Sequence, residues 1–229
     1  MTDKVCSAAQ QVASDGTEIV AVTSQHGPVS IEGYYDEAMA VPGMLQAIQA
    51  EKDYDAVVIA CFDDTGLNAA RCITNKPVIG IGEAACRVAS MLSNKFSVVT
   101  TLSRSVPALE HNLLSYGMER QCVRVRSSEI PVLELEHDED AAANKIALEI
   151  KQAVSEDRAE AIVLGCAGMV DLAARLSEQF SMPVLDGVTC AVSLCESLVR
   201  LKAKTTRQGG YAPPPADKVK DLTEIFGPL

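Results

Sequence analysis

Two cysteines, Cys61 and Cys166, each close a short run of nearly the same pattern, DAVVIAC at 55–61 and EAIVLGC at 160–166. An acidic residue, a run of apolar and β-branched residues and then a thiol is the pattern of a buried parallel strand that delivers one side chain at its carboxyl end. A thiol ordinarily titrates near a pKa of about 8.5, and a following helix N-terminus or oriented N–H groups draw it toward neutrality, where it serves as acid and base. Two such thiols facing each other across a ligand place a base on one face of a stereocentre and an acid on the other. That is the geometry of racemisation at carbon, and it needs neither metal nor cofactor.

The elements that position the thiols are also written twice. Ala69, Ala70 and Arg71 follow the first cysteine, and Ala173, Ala174 and Arg175 the second; PVIG at 77–80 and PVLD at 183–186 come next, each before an alanine-rich helix. A duplicated strand–cysteine–helix–strand–helix unit follows. Turn residues stand after each thiol, Phe62 to Gly66 in the first copy and Ala167, Gly168 and Met169 in the second. Their backbone N–H groups are suited to hold an enolate oxygen.

Between these landmarks the chain predicts a helix over 2–13, a strand over 17–22 and a helix over 36–50. Pro42 and Gly43 interrupt that last helix as a loop at the mouth of the site, with Gly43 lining the substrate. Helices are then predicted to 72, over 83–92, 106–116 (closed by Gly117), 141–154 and 190–202, with strands at 77–80, 96–101 and 122–125. Strict alternation implies parallel strands with right-handed crossovers. The fold class is α/β, two pseudo-symmetric doubly wound parallel-sheet halves with the site between them. The halves are 1–94, joined by the tail 204–229, and 95–203. The proline-rich stretch at 209–215 is read as an extended arm. The second half opens with a strand, whereas the first opens directly on a helix, so the first strand is missing from the duplicated plan, as if the sequence began at an internal methionine.

Net charge is −11, from 31 acidic and 20 basic residues, with no basic cluster among aromatics; nucleic acid and anionic membrane are excluded as partners. No run spans a bilayer and the N-terminus lacks signal-peptide order, which places the chain in the cytoplasm. The eight cysteines include no CxxC pair and have no histidine nearby, so free thiols are expected rather than disulfides or a zinc site, and no metal. No Gly-rich phosphate loop, HExxH or Ser/His/Asp set occurs, and GIGEAA at 80–85 matches GxGxxG only in part.

CFDDTGL at 61–67, PVIGIGEA at 77–84, FSVVTTL at 96–102 and VLGCAGM at 163–169, with IEGYYDEA at 31–38, resemble the hydantoin racemase family within the aspartate/glutamate racemase superfamily, over nearly the whole chain. The resemblance implies a cofactor-independent racemase of 5-substituted hydantoins or allantoin, with Cys61 and Cys166 exchanging a proton at C5. It implies contacts to the ring from Phe62, Asp63, Ala167 and Gly168, a hydroxyl from Thr101 at its strand's end, a small cyclic amide as partner, and a homo-oligomer. Family members open on a strand ending in an Asn-Pro-Asn-Thr-like turn, whereas this chain opens on MTDK.

Competing readings remain for several residues. Cys6, Cys72, Cys86, Cys122, Cys190 and Cys195 read as core residues, and His26, His111 and His137 as surface residues. Asp63 and Asp64 also suit caps of the following helix, and Tyr34 and Tyr35 suit a pocket wall, a subunit interface or half-buried packing. Aspartate or glutamate racemisation, decarboxylation of malonate-like acids, or a silent amide-binding protein are the alternatives in function; the second typically keeps one thiol of the two.

Overall fold

The computed structural model describes residues 1–215. Its second sheet has four parallel strands in the order β4-β3-β5-β6: β3 Phe96–Thr100, β4 Cys122–Ser127, β5 Ala161–Gly165 and β6 Val184–Leu185. All five residues of β3 and of β5 are buried, as a parallel sheet covered on both faces requires. The first sheet pairs β1 Val57–Ile59 with β2 Val78–Gly80, again parallel. This is the α/β parallel-sheet class that the alternating pattern implies.

The duplication holds at the level of register. Val57 is the partner of Val78 in the first sheet, and Ile162, at the matching place of the second copy, is the partner of Val184. Each cysteine strand therefore meets the proline-led strand of its own copy at the same alignment. The helices after those strands, α4 Ile81–Leu92 and α8 Gly187–Arg200, pack against each other. Small residues are frequent among those the two helices bury, Ala84, Ala85 and Ala89 on α4 and Gly187 and Ala191 on α8, and Gly187 lies against Ile81. One continuous buried cluster runs from Phe62, Ile81 and Ala85 through Val98, Leu109 and Val163 to Val188 and Ala191.

Two local expectations are corrected. Residues 17–22 form no strand: Val20 and Val22 stay 61% and 54% exposed, because among the described residues the first sheet has no counterpart of β3 for them to pair with. Pro42 and Gly43 form no loop either, since α2 Tyr34–Ala50 runs through both. A Cβ at Gly43 would strike the His26 carbonyl and the Ser24 hydroxyl, so glycine is what lets residues 24–26 cross this helix, while Ile48 anchors it in a cluster with Leu67 and Val78. Tertiary packing has overridden the local breaker signal.

The remaining helices are α1 Thr2–Val12, α3 Leu67–Ile73, α5 Val106–Ser115, α6 Glu139–Gln152 and α7 Leu172–Phe180. Helix α1 packs on α8, and the Glu196 carboxylate accepts from the Ser14 N–H and the Thr17 hydroxyl, both at 2.7 Å. Past α8 the chain returns to α3. The Thr205 hydroxyl donates to the Lys76 carbonyl at 2.7 Å, Arg207 donates to the Thr74 carbonyl at 2.8 Å, and the Tyr211 hydroxyl donates to Asn68 Oδ1 at 2.9 Å. Gly209–Tyr211 forms a 3-10 turn where an extended arm was expected, and the tail beyond residue 215 lies outside the described residues. No helix among the described residues is long and apolar enough to cross a membrane.

The crossing of α4 and α8 leaves no room for a methyl group at Gly187, where a Cβ would stand 2.5 Å from the Ile81 carbonyl oxygen and 2.7 Å from Ile81 Cβ. Gly187→Ala is predicted to lower stability by about 1–3 kcal/mol, the usual cost of overpacking, read as a fall in the midpoint of thermal or urea denaturation. An unchanged midpoint would show that the two helices can separate freely.

Candidate active site

In an open parallel sheet, ligands bind beyond the carboxyl ends of the strands at the point where strand order reverses. In the order β4-β3-β5-β6 that point lies between β3 and β5, and the residues following those two strands are Thr101 and Cys166. Gly165 lets the strands approach closely: Thr100 donates its hydroxyl to the Gly165 carbonyl at 3.0 Å, and a Cβ at Gly165 would lie 2.8 Å from Thr100. Thr101 itself is buried, and its carbonyl accepts from the Ile130 N–H.

Cys61 stands just past β1 and Cys166 just past β5, both partly buried. Each thiol receives the backbone N–H of the residue two positions on, Asp63 for Cys61 and Gly168 for Cys166. The turn after each strand repeats as well: the Cys61 carbonyl accepts from the Asp64 N–H at 3.0 Å and the Cys166 carbonyl from the Met169 N–H at 3.1 Å. Cys61 Sγ also lies 3.3 Å from the Thr65 hydroxyl. Burial is the largest influence on both sulfurs and pushes Cys61 up to about 12 and Cys166 up to about 11. Beyond that the surroundings differ: Cys61 is raised further by Asp63 and Asp64, whereas Cys166 feels Asp63 and Glu32 against the favourable charge of Lys4. The Asp63 carboxylate thus acts on both thiols.

Asp63 and Asp64 are both buried, and they do different things. Asp64 sits at φ +50°, a left-handed conformation that Asp tolerates better than most residues. Its carboxylate accepts from the Gly82 N–H at 2.9 Å, the Glu83 N–H at 2.6 Å and the Tyr116 hydroxyl at 2.5 Å. It therefore caps α4, eighteen residues away, and not the following helix α3, whose N-cap is Gly66. Gly80 and Gly82 make this seat possible, since a Cβ at either would strike the Asp64 carboxylate or the Phe62 carbonyl. The GIG fragment is thus a cradle for an internal carboxylate. The second copy needs no such loan, because Asp186 caps α8 directly through the Thr189 N–H at 2.8 Å.

Asp63 has no equivalent set of donors. Asn112 donates to its carbonyl at 2.7 Å and fixes its backbone, while its side-chain Oδ2 is buried without a partner. Burial, then the charges of Glu37 and Asp64, push its carboxyl up to about 7. Phe62 belongs to the main core. Ala167 and Gly168 form the turn after Cys166, with the Met1 side chain and Leu135 packed against Gly168. Gly43 lies within α2 under residues 24–26. The sequence reading did not single out Glu37, Asn112 or Tyr116. Of the other cysteines, Cys86, Cys122, Cys190 and Cys195 are buried and Cys6 and Cys72 partly so; the three histidines are exposed, as are Tyr34 and Tyr35, at 62% and 74%.

Comparison with known proteins places this α/β frame in a family. The family model described as Asp/Glu/Hydantoin racemase matches residues 1–195. The chain belongs to this family. A hydantoin racemase of Rhizobium meliloti is 49% identical over 216 residues, covering 93% of this chain and 90% of that protein. One from Pseudomonas sp. (strain NS671) is 43% identical over 229 residues, covering 99% and 92%. The solved allantoin racemase from Klebsiella pneumoniae superposes with a TM-score of 0.94 at 42% identity, over 100% of this chain and 94% of that one. The protein is therefore an isomerase of the racemase class.

The Asp63 carboxyl carries a signed prediction for stability. Its pKa rises from 3.8 to about 7 on folding, so the folded chain binds this proton more tightly, and the stability it confers is complete below about pH 4 and lost as pH rises through about 7. Asp63→Asn is predicted to flatten the decline of melting temperature between pH 4 and 7; a slope as steep as in the wild type would contradict this environment. Asp64, also pushed up to about 7 by burial against the pull of its three donors, contributes the same sign and leaves part of the slope in place.

Proposed function

We propose that the protein racemises 5-substituted hydantoins, of which allantoin, 5-ureidohydantoin, is one, by proton exchange at C5 between Cys61 and Cys166. The observation that carries this reading is the matched pair of thiols, each just beyond the carboxyl end of its strand in a turn of the same form, and both under the charge of Asp63. The names of the relatives, hydantoin racemase and allantoin racemase, supply the substrate class.

One cysteine enters as thiolate and the other as thiol. The thiolate sulfur forms an S–H bond with the C5 proton as the C5–H bond breaks, and the electron pair delocalises onto the adjacent carbonyl as an enolate. The opposite thiol then gives its proton to the other face of C5 and is left as thiolate. The product is the mirror-image hydantoin, and the ionisation states of the two cysteines have exchanged. All protons in the cycle are held on this chain's own sulfurs, so the step is complete without a cofactor. Asp63, Thr101, Ala167 and Gly168 are assigned to the walls around the ring, with Phe62 holding the first turn from the core side.

The test is loss of circular dichroism from an enantiopure 5-substituted hydantoin with single variants of each thiol. Positioned acid–base groups contribute about 10²–10⁴-fold, so Cys61→Ser and Cys166→Ser are each predicted to lower kcat by at least about a hundredfold; a variant retaining full activity would defeat the two-thiol mechanism. Because burial and Asp63 hold both thiols above neutrality, kcat/KM is predicted to climb through neutral into alkaline pH as thiolate forms. Removing that negative charge in Asp63→Asn eases ionisation and moves the climb to lower pH. A profile that is flat, or that Asp63→Asn leaves in place, would contradict the assignment.

A further inference from the structure

Among the described residues, two buried side-chain polar atoms lack a hydrogen-bond partner, Glu37 Oε1 and Asp63 Oδ2. They come from elements 26 residues apart in sequence, the first turn of α2 and the turn after Cys61, yet Glu37 is the leading charge on Asp63. Asp63 is 8% exposed. Leaving a buried acceptor unpaired costs about 1–3 kcal/mol, and native structures seldom keep such atoms without a use. Here the two belong to carboxyls linked by charge, and the Asp63 charge reaches both sulfurs.

The chemistry of the pair selects its ligand. The Glu37 charge opposes ionisation of Asp63, so together they present unpaired acceptor oxygens and a carboxyl that holds its proton toward neutral pH. That pattern complements a cyclic amide edge, where an N–H donor stands beside a carbonyl acceptor. It is hostile to a free amino acid, whose carboxylate brings only acceptors and a like charge. We propose that Glu37 and Asp63 act as one recognition unit, receiving the ring N–H groups of a neutral cyclic ureide and turning away anionic amino acids. This inference rests on the racemase reading for the place of the substrate and adds how the site tells hydantoins from aspartate or glutamate. The IEGYYDEA segment, otherwise without a role, gains one: it presents Glu37 to the Cys61 turn.

Calorimetric titration of the full chain with racemic 5-benzylhydantoin reads recognition without net conversion, since the two enantiomers are already at equilibrium. Glu37→Gln keeps the shape and removes the charge. It is predicted to weaken binding about tenfold, the usual worth of a hydrogen bond to a charged group. Methylation at N1 or at N3, whichever nitrogen the pair contacts, is predicted to weaken binding to the wild type by a similar factor and to Glu37→Gln by much less, since the two changes remove one contact. L-Glutamate is predicted not to bind the wild type at millimolar concentration. The ligand-free melting temperature of Glu37→Gln should hold or rise, whereas a structural role would lower it.

Binding within threefold of wild type, equal methylation penalties in both proteins, a lowered melting temperature, or no binding of 5-benzylhydantoin to the wild type would each overturn the inference. The racemase reading fails separately: a chain that binds hydantoins in the predicted way but leaves an enantiopure sample optically unchanged contradicts proton exchange and supports this recognition unit. One that racemises hydantoins with Glu37→Gln indifferent does the reverse.

Discussion

One buried carboxylate ties the working parts of this protein together. Asp64 leaves the Cys61 turn, crosses to the N-terminus of α4 and there accepts two backbone N–H groups and the hydroxyl of Tyr116 from beyond the end of α5. A turn that follows a three-residue strand has little of its own to hold it. Bonding it to the start of α4, which packs on α8, and to Tyr116, which follows β3 and α5, makes the position of Cys61 a property of the whole core. Asn112 adds a second tie from α5 to the carbonyl of Asp63. Charge-assisted hydrogen bonds are roughly twice as strong as neutral ones, and three of them on one carboxylate outweigh the strain of its left-handed backbone.

The second copy reaches the same end by local means. Asp186 follows its strand directly and caps α8 from within the chain, so the Cys166 turn is free of that duty, and β5, paired on both sides, sets the thiol's position. The halves are alike in strand register and thiol placement but not in support, and their electrostatics differ too. Asp63 and Asp64 press on Cys61, while at Cys166 the charges of Asp63 and Glu32 are met in part by Lys4, itself held by Asp171 and Glu139. A symmetric frame with unequal surroundings suits a reaction that must run in both directions between mirror-image ligands while still orienting one ring.

Much of this was legible in the residues. β-branched runs buried on both faces have one reading in an alternating chain, and the repeat made the two thiols stand out from six that pack. What stayed hidden was set by distance in sequence. Asp64 was legible as a cap but not as the cap of α4, because the choice depends on Gly80 and Gly82 leaving space for it. The break expected at Pro42 did not form, because Gly43 fits under residues 24–26 and Ile48 is held in a cluster. The stretch at 17–22 has strand composition without a strand to pair with, and composition alone makes no sheet. Glu37 shows no local sign of the role proposed for it, which depends on its charge acting on Asp63, 26 residues away in sequence.

The account stands on two thiols working from opposite faces of one carbon, and racemisation in deuterium oxide examines this most directly. An enantiopure 5-substituted hydantoin would be converted for a few per cent of reaction and the two enantiomers separated and weighed for deuterium. Each thiol carries a single proton, so the account predicts solvent deuterium at C5 of the newly formed enantiomer and almost none in the recovered starting one. Deuterium entering both enantiomers at equal rates would mean that one group serves both faces, and would contradict the account.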